Sequence, residues 1–184
     1  RSYHLDFPSI GYHNMKENEY LSQTLNQYKY GDYLRRRMHI FGLDEGPGYF
    51  EEYPQIPFLP WSILIMWKLF GINFWSARII IVLFSVATII PLYFLVKELT
   101  KNRFLGLLSA FFFTIIPLTV FFGRNIQPES PALFFLFLGM LFFVRYIKEF
   151  DLKNLIIFAL AFCLSGLYKS TFLIGLIPLA FIFP

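Results

Sequence analysis

Charge is what this sequence has least of. Only 15% of its 184 residues are Asp, Glu, Lys or Arg, where about 25% is usual for a soluble chain. That charge lies in the first third of the chain and in a few short loops. Cysteine is almost missing too: Cys163 stands alone inside an apolar run. No disulfide can close within the chain and no cysteine-based metal site exists. Cys163 reads as a small packing residue. The net charge of +4 gives no case for nucleic acid, because the basic residues stand at the ends of apolar runs.

What the sequence has in excess is apolar surface. It is 57% hydrophobic and 21% aromatic, with 25 Phe and a mean hydropathy of +0.55; soluble domains run nearer ~45–50% apolar. The fold class this implies is all-α: a multi-pass bundle of transmembrane helices. The chain opens on Arg1 and closes on an apolar run, so it reads as a piece of a larger protein.

Three regions follow in order. Residues 1–56 are aqueous, holding most of the acids, all three histidines and Arg35-Arg36-Arg37, a cluster suited to lipid headgroups. Within them Met15–Tyr30 predicts a helix. Met15, Leu21, Leu25 and Tyr28 fall near one stripe, Asn14 suits the N-cap and Gly31 the end. Gly42–Pro54 reads as loop. Residues 57–74 hold an apolar stretch, Pro57–Phe70, too short for the ~20 residues of a span. With Trp61, Trp67 and Lys68 it predicts an interfacial or re-entrant helix, turned by Gly71-Ile72-Asn73. Residues 75–184 carry the spans: Trp75–Leu95, Phe104–Phe122, Pro131 to about Ile147, Leu155–Tyr168, and a fifth beginning at Thr171.

Between the second and third spans lies Gly123-Arg124-Asn125-Ile126-Gln127-Pro128-Glu129-Ser130. Ionisable groups beside lipid are costly and usually functional. Loops 97–103 and 145–153 each carry three Lys or Arg, which predicts the cytoplasmic side for both. Arg124, Glu129 and Lys169 then face out of the cytoplasm, and with a non-spanning Pro57–Phe70 the acidic first region joins them. Carboxylates there can take a proton from, or orient, a hydroxyl. Cations can hold a phosphate leaving group. Such a set would serve sugar transfer from a lipid-linked phosphate, although physics alone does not single it out.

The order of motifs resembles the GT-C membrane glycosyltransferases, specifically the group shared by protein O-mannosyltransferases and the aminoarabinose transferases that modify lipid A. The residues that carry the likeness are Lys16-Glu17-Asn18-Glu19-Tyr20, Gly31-Asp32, Gln55-Ile-Pro-Phe-Leu-Pro-Trp61, Leu69-Phe70-Gly71, Ala77-Arg78, Arg124 with Pro128-Glu129, and Leu167-Tyr168-Lys169. The resemblance implies an integral membrane enzyme of the plasma or endoplasmic reticulum membrane. It would pass a sugar from a polyprenyl-phosphate donor to an extracytoplasmic protein, lipid or glycan acceptor. It also implies one transmembrane helix before Arg1 and several after Pro184.

Onto this chain it carries Glu17, Glu19 and Glu129 as catalytic acids, with Lys169, Arg124 and His13 at the donor phosphate. The family's leading Asp falls on Lys16, so Glu17 and Glu19 both stand as the base; Glu51 and Glu52 lie nearest the family acid beside the Pro-rich stretch. The resemblance allows a divalent metal and assigns it no ligand. Simpler readings stand beside these. Glu17, Glu19 and Glu129 suit the first turn of a helix, and Arg124 and Lys169 suit interfacial anchors. The other function classes are a transporter or flippase of lipid-linked saccharides and a non-catalytic membrane subunit.

Overall fold

A backbone in hydrocarbon must satisfy its own hydrogen bonds, and a helix does so within one segment. The computed structural model meets this with nine helices among the residues it describes: 5–9, 14–31, 33–34, 36–39, 50–53 and 56–182. These divide into two units. One holds Ser2–Ile81 with Arg124–Gln127, the other Val82–Gly123 with Pro128–Pro184.

In the first unit, α1 (Asn14–Tyr30) packs on α2 (Phe58–Phe70) and on a two-stranded antiparallel hairpin. The strands are β1 (Arg36–His39) and β2 (Phe50–Tyr53), paired Arg36 with Tyr53 and His39 with Phe50. The hairpin is an addition to the helical expectation, and β2 corrects part of what reads as loop in Gly42–Pro54. The end of α1 follows expectation, with Gly31 at φ +70° and its N–H bonded to the Gln27 carbonyl at 3.1 Å.

The buried face of α1 is a correction. Met15 is 82% exposed and Tyr28 is exposed, whereas Glu17, Gln23, Thr24, Asn26 and Gln27 are buried. The polar face is stable because it is bonded. Thr24 Oγ1 donates to the Tyr20 carbonyl at 2.8 Å, Gln23 Nε2 to Glu19 at 3.2 Å, and Gln27 Nε2 to the Tyr33 carbonyl at 3.4 Å.

Helix α2 has 13 residues and buries Leu59, Ile63, Leu64 and Trp67. Its Trp61 Nε1 donates to the Tyr33 carbonyl at 2.6 Å. Gly71 (φ +83°) stops it. Asn73 then starts α3 (Phe74–Ala87) by accepting the Ser76 N–H at 2.7 Å, an N-cap bond.

Helix α3 begins in the first unit and runs into α4 (Ile89–Thr100) of the second, and together they form an apolar helix of 27 residues. Helix α5 (Arg103–Ile115) is started by Asn102, which accepts the N–H groups of Phe104 and Leu105. The expected second span is broken at Ile116–Pro117, leaving α5 and a six-residue α6 (Pro117–Phe122). Pro117 has no N–H to continue the ladder and holds Ile116 extended (ψ 124°). Helix α7 (Glu129–Glu149) has 21 residues and packs along α8 (Leu152–Tyr168). A 3₁₀ turn (Ser170–Gly175) leads to α9 (Leu176–Ile182).

Two apolar clusters hold this unit: Leu95 with Leu141 and Val144, and Phe143 with Phe162 and Leu179. Helices α3–α4 and α7 are long and apolar enough to cross a membrane. Only 33% and 39% of their most apolar windows are buried, so most of that apolar surface faces outward, as in lipid and unlike the core helix of a soluble domain. The protein is a helical membrane protein.

The second unit also orders its charges. Lys148 Nζ, near the end of α7, donates to Glu98 Oε2 of α4 at 2.6 Å, and Arg145 lies 3.4 Å from Glu98 Oε1. The basic turns after α4 and after α7 therefore share one end. Glu129 opens the other end of α7, about 29 Å away at 1.5 Å per residue, close to the ~30 Å hydrocarbon thickness.

Gly123 closes α6 where no side chain fits. A Cβ there would fall on Ser85 Oγ and lie 2.7 Å from the Thr119 carbonyl. Gly123→Ala should therefore lower stability by about 1–3 kcal/mol. Gly139→Ala, whose added methyl meets nothing nearer than 3.4 Å, should cost far less. Thermal unfolding of the full-length protein compares the two.

Candidate functional site

Each unit holds a charged constellation that includes candidate site residues. In the first it is built on Arg78, one turn into α3 and 5% exposed. A guanidinium in that position must use its donors. Nε and Nη2 donate to the two oxygens of Glu17, both at 3.0 Å; Nη1 donates to the carbonyls of Leu5 (3.0 Å) and Phe7 (2.5 Å). The Phe74 ring lies 5.5 Å from the guanidinium carbon. Glu17 Oε1 also accepts the backbone N–H of Ile126 at 3.2 Å. One carboxylate thus joins α1, α3 and the loop Arg124–Gln127. Burial pushes the Glu17 carboxyl up, but the Arg78 hydrogen bonds and charge with the Ile126 N–H outweigh it and hold the group below its ordinary value.

The sequence motifs included Arg78 but not its role as the partner of Glu17. The pair is 61 residues apart, beyond any helical period. Glu19 sits one turn before Gln23, whose amide it accepts. Arg124 is half-buried on the loop held by Glu17 and makes no hydrogen bond or ion pair among the described residues. His13 lies outside the described residues, and so do the side chains of Glu51 and Glu52. No cluster of three or more metal-ligating side chains occurs among the described residues.

In the second unit the constellation is Glu129 with Lys169. Tyr168 stacks on Phe135 of α7 with ring centroids 5.9 Å apart, and Ser165 Oγ donates to the Ala132 carbonyl at 2.8 Å. These contacts bring the end of α8 against the start of α7, where Lys169 Nζ reaches Glu129 Oε1 at 2.5 Å. Ser130 Oγ donates to the Phe122 carbonyl at 2.8 Å, tying α7 to α6. The second oxygen of Glu129, Oε2, is buried with no partner. Glu129 also borders a cavity of about 250 Å³ between α5, α6, α7 and the 3₁₀ turn.

Residues 53–183 match the family described as dolichyl-phosphate-mannose-protein mannosyltransferase. The chain belongs to that family. The match takes in Arg78, Arg124, Glu129 and Lys169, and stops short of Glu17 and Glu19. The chain is 28% identical over 175 residues to an uncharacterized protein from Aquifex aeolicus (strain VF5), covering 91% of this chain and 32% of the relative. It therefore spans about a third of that relative's length. No solved structure matches.

Arg78, within the family match, and Glu17, outside it, form a buried ion pair that supports the fold. Removing one partner of a buried ion pair costs about 3–5 kcal/mol. Arg78→Ala and Glu17→Gln should each lower the melting temperature of the full-length protein, and the loss in the double variant should be well below the sum. The unfolded Glu17 carboxyl titrates near 4.5 and the folded one lower. Its contribution is full above pH 4.5 and lost as pH falls through the folded value. The acid side of a stability–pH profile should flatten in Glu17→Gln.

Proposed function

We propose that this protein is an integral membrane glycosyltransferase. It transfers a sugar from a polyprenyl-phosphate donor to a hydroxyl-bearing acceptor outside the cytoplasm. Family membership supports the reaction class. The observation that carries the site is Glu129, with one oxygen paired to Lys169 and the other buried, unpartnered and beside a cavity.

The roles follow from what each group has left to give. Glu129 Oε2 accepts the proton of the acceptor hydroxyl. The acceptor oxygen bonds to the sugar's anomeric carbon as that carbon's bond to the phosphate oxygen breaks, and the lipid phosphate leaves. Lys169 aims Glu129 through its ion pair and offers its remaining donors to the phosphate. Arg124, unpaired among the described residues, stays a candidate for binding a phosphate. Glu17, with both oxygens on Arg78, is a positioning residue for the Arg124–Gln127 loop. Glu19 and His13 remain candidates for the base and the phosphate site.

The side of the membrane follows from charge. The two basic turns joined through Glu98 belong in the cytoplasm by the bias of Lys and Arg toward that face. With α7 as a span, Glu129 and Lys169 open on the opposite side.

Glu129→Gln keeps the shape and loses the base, so transfer from a polyprenyl-phosphate sugar by the full-length protein should fall by about 10²–10⁴. Lys169→Ala should reduce it as well. Full activity in both variants would refute the site.

A further inference from the structure

The cavity beside Glu129 is walled by Phe113, Leu118, Phe122, Leu133 and Phe172. The hydroxyls of Thr88, Thr119 and Ser130 at its wall are already committed, donating to the carbonyls of Phe84, Phe113 and Phe122. One lining side-chain atom among the described residues is buried without a partner: Glu129 Oε2. The site is thus an apolar cavity with one unmet side-chain acceptor among the described residues. A group that completes it must bring one hydrogen-bond donor on a hydrocarbon body.

The charge of the site narrows the donor. Lys169 already supplies the counter-charge to Glu129. An ammonium group would give up its water for apolar walls and add a second cation to one carboxylate. A phosphate brings only acceptors and a like charge. A sugar ring would leave its other hydroxyls against phenylalanine and leucine. A neutral alcohol meets the oxygen and leaves nothing unpaired. Size limits the rest: about 250 Å³ lies below the ~300–1,000 Å³ that holds a drug-sized ligand, so the chamber takes the end of a chain and not a whole lipid.

We propose that this chamber binds the hydroxyl end of an amphiphilic alcohol, its O–H donating to Glu129 Oε2 and its hydrocarbon lying against Phe113, Leu133 and Phe172. The proposal rests on the reading of Glu129 as proton acceptor, and it names the acceptor class: an alcohol on an apolar body in place of a water-soluble glycan.

The test is photolabelling of the full-length protein in nanodiscs, with no sugar donor present. The probes are a dodecanol carrying a diazirine near its hydroxyl and the methyl ether of the same molecule, with labelled residues mapped by mass spectrometry. The alcohol should label the chamber residues several-fold more than the ether. Glu129→Leu should erase that difference, and Leu133→Trp, which fills the chamber, should reduce labelling by both probes. Equal labelling by alcohol and ether in the unmodified protein would overturn the proposal, since a water at Oε2 then suffices. Displacement of the alcohol by a polyprenyl phosphate but not by unlabelled dodecanol would also overturn it and assign the chamber to the donor's tail. Labelling needs no turnover, so a protein that labels as expected yet transfers no sugar refutes the transferase reading and leaves this site standing.

Discussion

A guanidinium shut away from water must be answered on every side. Arg78 sets this constraint for the first unit. Its donors are taken by Glu17 and by the carbonyls of Leu5 and Phe7, and Glu17 in turn accepts the Ile126 N–H, so four stretches of chain distant in sequence meet at one ion pair. Apolar packing could not specify such a junction, because hydrophobic contact has no direction. A bidentate ion pair does, since the planar fork of Arg matches a carboxylate in one geometry. Gln23, Thr24 and the Gln27 amide N–H on α1 follow the same rule, each finding a local acceptor.

The second unit divides the labour differently. Its mass is phenylalanine and leucine, packed between α4, α7, α8 and α9, while its charges are gathered at the ends of helices. Lys148 and Arg145 share Glu98 at one end; Lys169 meets Glu129 at the other. The pairs differ in what they leave over. Both Glu98 oxygens have cationic partners, whereas Glu129 keeps one oxygen buried and unpartnered. A saturated carboxylate is a strut, and a half-saturated one can still accept a proton. That asymmetry carries the functional reading more than the mere presence of charge near lipid.

Much of this was legible in the residues. The apolar runs gave α3–α4, α7 and α8 to within a few positions, because a run that long must satisfy its backbone as a helix. Gly31, Gly71 and Asn73 marked turns through local backbone chemistry. Glu129 and Lys169 stood out because ionisable groups at the edge of apolar runs are rare. Three things were not legible. Met15 and Tyr28 of the predicted α1 stripe are exposed, while polar residues of α1 such as Glu17 and Gln23 are buried. Periodicity cannot register partners 61 and 109 residues distant. The hairpin formed from short segments without strand alternation. Pro117 was visible, but whether a proline bends or breaks a helix depends on neighbours that only the fold supplies.

The two long helices are unequal. At 1.5 Å per residue the 27-residue Phe74–Thr100 helix is about 40 Å long and Glu129–Glu149 about 31 Å. Against a hydrocarbon layer near 30 Å, the first carries slack that tilt can absorb and the second carries almost none. A bilayer a few ångströms thicker meets helix already present in one case and polar ends in the other. As spans, the pair would be tuned to membrane thickness through α7, the helix that starts at Glu129, so the lipid composition around the protein bears directly on where that carboxylate sits relative to the water.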